Sequence, residues 1–337
     1  MNDEPIKHVL DIEIKALDDL ISKELLLCDS IVIQDVSKYI VFAGGKRVRP
    51  HLLLLMSKLF AAHEQGHQIK LAAALELIHT ATLLHDDIVD NSNMRRNKTA
   101  AHLVWGLRDC VTTGNWLFAL AFKLSVACQN IELTRIISEM TKAMAQGELN
   151  QLAYKDLAAK NDQNRCIIDE ASYFEIISAK TGILFAAATE LAAVLNNQSQ
   201  NIIKIAKQFG MHLGLAFQIK DDLLDYMGDV DTLGKNIGDD LIEGKITLPL
   251  ILLRERKPEV FNDLMINIQN YSQGDPEFLK KFQEIRQILH ENNCVQDSYK
   301  KAQDEQEQAL CYLNQLPQNA ITEYLRKITL DAVTRSH

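Results

Sequence analysis

Apolar residues recur every three or four positions through long stretches of this chain, as in IKLAAALELIHTATLLHDDIVD at 69–90 and NIIKIAKQFGMHLGLAFQIKDDLLDY at 201–226. That spacing matches one face of a 3.6-residue turn, so it commits these stretches to helices that bury a stripe against other helices. Breakers are sparse, with 14 glycines and 6 prolines in 337 residues. No run of alternating strands with turn signals interrupts the pattern, and no strand joins a helix through a Gly-rich loop. The spacing predicts an all-α protein with roughly eight helices before residue 227 and a few more after 249, in one domain spanning 1–337. The least helix-like segment is MGDVDTLGKNIGDDLIEGKITLP at 227–249.

Several function classes are excluded early. The run LLLLM at 52–56 is too short to cross a bilayer, and the acidic start MNDEPIKHVLDIEIK lacks the basic and apolar parts of a signal peptide. A net charge of −9 and a pI near 5.6 argue against a general nucleic-acid binder. Cys28, Cys110, Cys128, Cys166, Cys294 and Cys311 are scattered and form no Cys-x-x-Cys pair, as expected of reduced thiols. These features predict a soluble, cytoplasmic protein with no transmembrane segment.

Against this background two short stretches stand out, LLHDDIVD at 83–90 and QIKDDLLD at 218–225. Residues four apart share a helix face, so Asp86 and Asp90 point the same way, as do Asp221 and Asp225. Like charges repel, and the negative end of the helix dipole makes a late position worse for an anion. A single acidic helix end is most often a solvated one. Two of them after long apolar helices point instead to bound cations. Carboxylates without thiolates favour a hard cation, hence Mg2+, which is commonly held by one or two carboxylates and completed by substrate phosphates. Groups that hold phosphate are present in GGKRVRP at 44–50 and in MRR at 94–96. Lys46, Arg47 and Arg49 surround an expected helix start with Pro50 in its first turn, a place that receives anions. The spacing does not fit a Walker A loop.

Taken in order, GGKRVRP, IHTATLLHDDIVDNSNMRRNK, AKT at 179–181, FQIKDDLLD and LGKNIGDDLIEGKITLPL resemble a trans-type polyprenyl diphosphate synthase over about residues 40 to 250. The resemblance implies a single-domain helical bundle around a deep central cavity, normally a homodimer. It also implies condensation of an allylic diphosphate, such as farnesyl diphosphate, with isopentenyl diphosphate, and release of inorganic diphosphate. Asp86, Asp90 and Asp221 match magnesium ligands of that family, with Asp87, Asp222 and Asp225 shaping or supplementing them. Lys46, Arg49, His79 and Arg96 match positions around the isopentenyl diphosphate. Arg95, Lys180, Thr181, Gln218, Lys235 and Lys245 match positions around the allylic diphosphate and the nascent cation.

Product length is expected to depend on the residues one turn below the first cluster. Ala81 and Thr82 are small where short-product members carry aromatics, which suggests an open passage and a long product, around octaprenyl, as in quinone side chains. The sequence departs from the family pattern at Asn115, Asn97, Gly182 and Ile246, where aspartate, glycine, alanine and proline are more usual. Two rival readings are a class I terpene cyclase, whose second metal motif differs from the repeated DDxxD here, and a regulatory subunit, which usually lacks one cluster or both.

Overall fold

The computed structural model describes residues 3–60, 66–96, 98–159, 168–227, 238–268 and 276–334. Asn97, Cys166 and Lys235 lie outside them. Within the described residues the chain is helical almost throughout. The helices are α1 (Glu4–Leu26), α2 (Ile31–Val41), α3 (Val48–Leu59), α4 (His67–Val89), α5 (Ala101–Trp105), α6 (Leu107–Val126) and α7 (Ile131–Ala159). They continue as α8 (Glu170–Ile177), α9 (Ile183–Leu195), α10 (Gln200–Met227), α11 (Asp239–Ile242), α12 (Leu248–Arg256), α13 (Pro258–Ile268), α14 (Pro276–Glu291), α15 (Cys294–Leu313) and α16 (Ala320–Thr334). Between α8 and α9 the helix widens into a π-helical turn at Ser178–Gly182.

Local chemistry explains several boundaries. Ser30 caps α2 by accepting from the Ile33 N–H at 3.4 Å, and Asp169 caps α8 by accepting from Ser172 at 2.8 Å. The α3 start is where the sequence places it, with Pro50 in the first turn. A two-residue antiparallel ribbon, Met94–Arg95 against Lys98–Thr99, was not foreseen, because two-residue strands are too short to show a period of two.

Contacts divide the chain into two compact units, each assembled from three separate segments. One holds Met1–Lys142, Leu184–Gly210 and Tyr312–Arg326; the other holds Ala143–Ile183, Met211–Cys311 and Lys327–His337. Neither is a continuous stretch that could be excised.

In the first unit α4 packs against α6, α3 and α1. Every residue from Leu71 to Ile78 is buried, Glu76 included, so this part of the helix is covered on all sides. In the second unit the core joins Tyr173, Ile219, Leu223 and Tyr226 to the apolar run of α12 and to Phe278 and Phe282. Tyr226 stacks on Phe282 at 5.9 Å between ring centroids. Gly238, with φ +80°, lies against the two phenylalanines; a Cβ there would sit 2.9 Å from their ring atoms, so only glycine fits.

One stretch among the described residues is long and apolar enough to cross a membrane by length and composition, Glu170–Leu195, and 78% of its most apolar window is buried within the protein. That is the signature of a core helix.

Candidate active site

Both aspartate clusters fall at helix ends: Asp86 in the last turn of α4 with Asp90 as its C-cap, and Asp221 to Asp225 in the last two turns of α10. Burial separates the adjacent aspartates of each pair, because neighbours on a helix point about 100° apart. Asp87 is buried, and Arg95 donates to its Oδ1 from Nε at 2.7 Å and from Nη2. Burial raises the Asp87 pKa and the Arg95 contacts oppose that rise. Its Oδ2 is buried with no hydrogen-bond partner among the described residues. Asp86 and Asp90, by contrast, are half-buried.

Two turns before Asp86 on the same helix, His79 sits among arginines. The Arg49 Nη1 lies 3.1 Å from its Nε2, and the Arg49 guanidinium lies over the Phe185 ring at 5.3 Å. Arg96 donates to the Gly44 carbonyl and packs on Gly45, where a Cβ would meet its Nη2 at 2.8 Å. Gly45 of the basic loop therefore leaves room for the second arginine of MRR. Burial holds His79 well below the usual histidine range, and Arg49, Arg96, Arg95 and Arg47 push it further in that order. The imidazole is neutral, and the positive field around it suits an anion.

Arg47 has another task. It adopts φ +46° at the α3 N-cap and bonds Glu76 at 2.6 Å, Asp18 at 3.1 Å and the Val41 carbonyl at 2.9 Å. It is anchored through the buried Glu76, whereas Lys46 is exposed.

In the second unit the π turn presents Lys180 and Thr181. Lys180 bonds Glu148 and Gln151 of α7. That approach is close: a Cβ on Gly147 would lie 2.6 Å from the Ala179 Cβ. Gly182, where alanine is more usual, faces Met211, whose sulfur would be 2.6 Å from an added Cβ. Thr181 donates its hydroxyl to Gln218 Oε1 at 2.7 Å, and Gln218 donates through Nε2 to Asp222 Oδ1 at 2.7 Å. Tyr173 donates to Asp222 Oδ2 at 2.6 Å. Burial pushes Asp222 up to about 8, repulsion from Asp240 adds to this, and the Tyr173 and Gln218 hydrogen bonds oppose it. Asp221 is half-buried. Asp225 accepts from the Gly238 N–H at 3.0 Å, and Lys245 lies 2.5 Å from Glu243 and 3.8 Å from Asp240. An apolar hollow of about 440 Å3 borders the same π turn, lined by Ala143, Phe174, Ala179, Ile183 and Met211.

Asp86 and Asp90 in one unit, and Asp221 in the other, are half-buried and offer only oxygen donors, the chemistry a hard cation takes.

One expectation is corrected. Ala81 has no accessible surface, so it does not border an open passage; its neighbour Thr82 is half-buried and donates to the His79 carbonyl at 2.8 Å. Ala81 lies on the inward face of α4, between the buried Thr80 and Leu84, whereas Thr82 and Leu83 lie on its partly open side. Asn115 is exposed on α6, beside Gly114, where a Cβ would collide with His85 at 2.3 Å. Tyr173 was missed by the sequence reading. Its only signal is a tyrosine within an apolar stretch, seven residues before Lys180.

The Polyprenyl synthetase family model matches residues 31–288. The chain is 38% identical over 304 residues to the all-trans-nonaprenyl-diphosphate synthase (geranyl-diphosphate specific) of Rhodobacter capsulatus, covering 90% of this chain and 89% of that one. It is 34% identical over 313 residues to the octaprenyl diphosphate synthase of Escherichia coli, covering 93% of each. Among solved structures it resembles the polyprenyl synthase from Caulobacter crescentus complexed with calcium and isoprenyl diphosphate, with a TM-score of 0.87, 35% identity, and coverage of 100% of this chain and 98% of that one.

Proposed function

The chain belongs to the polyprenyl synthetase family and is a trans-prenyltransferase, and from that premise we propose that it condenses farnesyl diphosphate with successive isopentenyl diphosphates in a magnesium-dependent reaction. The proposed product is a long all-trans polyprenyl diphosphate, octaprenyl in length, suited to quinone side chains. The observation that carries the reading is the face of α4. It bears His79 inside a ring of arginines and, seven residues or roughly 10 Å further along the axis, Asp86. One helix thus offers a site for a bare anion and, two turns on, carboxylates for a metal-bound one.

Lys46, Arg49, His79 and Arg96 are the proposed holders of isopentenyl diphosphate, with neutral His79 able to donate one N–H. Arg95, Lys180, Lys235 and Lys245 are proposed for the allylic diphosphate, and Asp86, Asp90 and Asp221 for magnesium. The calcium named with the Caulobacter crescentus relative supports a hard divalent ion in this role. Bound there, magnesium would stabilise the negative charge that builds on a departing diphosphate. Thr181 and Gln218 offer oxygen lone pairs to an allylic cation without the nucleophilicity of a carboxylate. The mostly apolar lining beside the π turn suits a prenyl tail. Holding both diphosphates in place makes the bimolecular step effectively unimolecular.

We further propose that the two compact units work as one catalytic domain, in a cytoplasmic homodimer. Val104 on α5 and Leu107, Val111 and Val126 on α6 are exposed apolar side chains of the kind a second copy covers.

Incubation with magnesium, farnesyl diphosphate and labelled isopentenyl diphosphate, followed by chromatography of the chains, tests the reading. Linear products near octaprenyl are expected. Cyclic hydrocarbons, or no elongation without a second protein, would contradict it.

A further inference from the structure

Tyr173 has no part in the reading above, yet its hydroxyl ends a directed chain of hydrogen bonds. The residue is buried in α8, and its hydroxyl donates to Asp222 Oδ2 at 2.6 Å while Gln218 Nε2 donates to Oδ1 at 2.7 Å. The Gln218 NH2 faces Asp222 and the Gln218 oxygen faces Thr181. The Thr181 hydroxyl must then donate to that oxygen, which it does at 2.7 Å. With its proton committed, Thr181 turns only lone pairs to its other side. One acceptor thus sets the polarity of the whole array, and Tyr173 occupies the oxygen of that acceptor that Gln218 does not use.

We propose that Tyr173 is a positioning residue for prenyl transfer, holding Asp222 so that the Gln218 amide and the Thr181 hydroxyl present oxygen to the developing allylic cation. The role rests on the prenyltransferase reading of this chain. It also gives Asp222 a different task from its neighbour Asp221: buried and engaged at both oxygens, Asp222 orients an amide. A misplacement on the order of 1 Å at a reacting centre can cost about a hundredfold in rate, so losing this anchor acts on turnover.

The test is a double-substitution cycle on the full chain with farnesyl diphosphate, isopentenyl diphosphate and magnesium. Tyr173→Phe keeps the ring and its edge contact with Phe174 at 5.7 Å and removes only the hydroxyl. Its kcat is expected to fall about tenfold to a hundredfold, with KM for both substrates within about twofold of the unsubstituted chain. Adding Tyr173→Phe to Gln218→Met should cost nothing more, because the tyrosine acts through the glutamine. A merely structural tyrosine would instead multiply its loss with that of Gln218→Met. Should Tyr173→Phe be insoluble, Asp222→Asn, which cannot accept from both donors, is read by the same cycle. A kcat within about twofold of normal, or multiplying losses, overturns the positioning role while elongation by the unsubstituted chain leaves the reaction reading standing. Failure of that chain to elongate removes both.

Discussion

Neighbouring residues of one type part company here. Arg47 and Arg49 lie two apart in GGKRVRP, but Arg47 bridges the buried Glu76 and the half-exposed Asp18 while Arg49 meets His79 beside Phe185. Removing one partner of a buried ion pair strands the other charge and costs about 3–5 kcal/mol. Arg47→Ala is therefore expected to lower stability in urea unfolding by about 3 kcal/mol. Arg49→Ala should change stability by less than about 1 kcal/mol, raising KM for isopentenyl diphosphate instead by about tenfold, since a charge-assisted bond contributes roughly 1.5–3 kcal/mol. Equal effects of the two substitutions on both quantities would contradict this division. The sequence showed that arginines cluster in this loop. It could not show which one turns inward, because that depends on Glu76, 29 residues away. The same holds for Asp86 beside Asp87 and Asp221 beside Asp222: the motif was legible, the inward and outward members were not.

At the level of elements, helices were legible wherever an apolar stripe repeats, and the placement of both acidic clusters at helix ends followed from where those stripes stop. The π turn at Ser178–Gly182 was not, because it reflects packing against α7 and Met211 rather than any local propensity. Gly147 shows the competition. Glycine inside a helix usually costs about 1 kcal/mol relative to alanine, so Gly147→Ala would ordinarily stabilise. Here the new methyl would sit 2.6 Å from the Ala179 Cβ, and overpacking costs about 1–3 kcal/mol. The expected net effect is a lower melting temperature; a higher one would show that the turn yields easily. On α4, Thr82 is half-buried and one turn before Asp86, whereas Ala81 has no accessible surface. Thr82→Phe is expected to shorten the products by at least one isoprene unit on chromatography, and unchanged lengths would remove Thr82 from chain-length control.

For the whole molecule, the all-helical architecture follows from composition and periodicity, but the interleaved assembly of the two units does not, because it depends on contacts between residues far apart in sequence. The proposed function joins chemistry from both units: His79, Asp86 and the arginines from one, Thr181, Gln218 and Asp221 from the other. Its central claim is that both aspartate clusters serve a single magnesium-dependent transfer. The most direct measurement is steady-state turnover of Asp86→Ala and of Asp221→Ala, each titrated with magnesium at saturating farnesyl and isopentenyl diphosphates. Loss of a group that stabilises transition-state charge costs about a hundredfold or more, so each variant is predicted to fall at least that far at every magnesium concentration. Near-normal turnover by either variant would contradict the account.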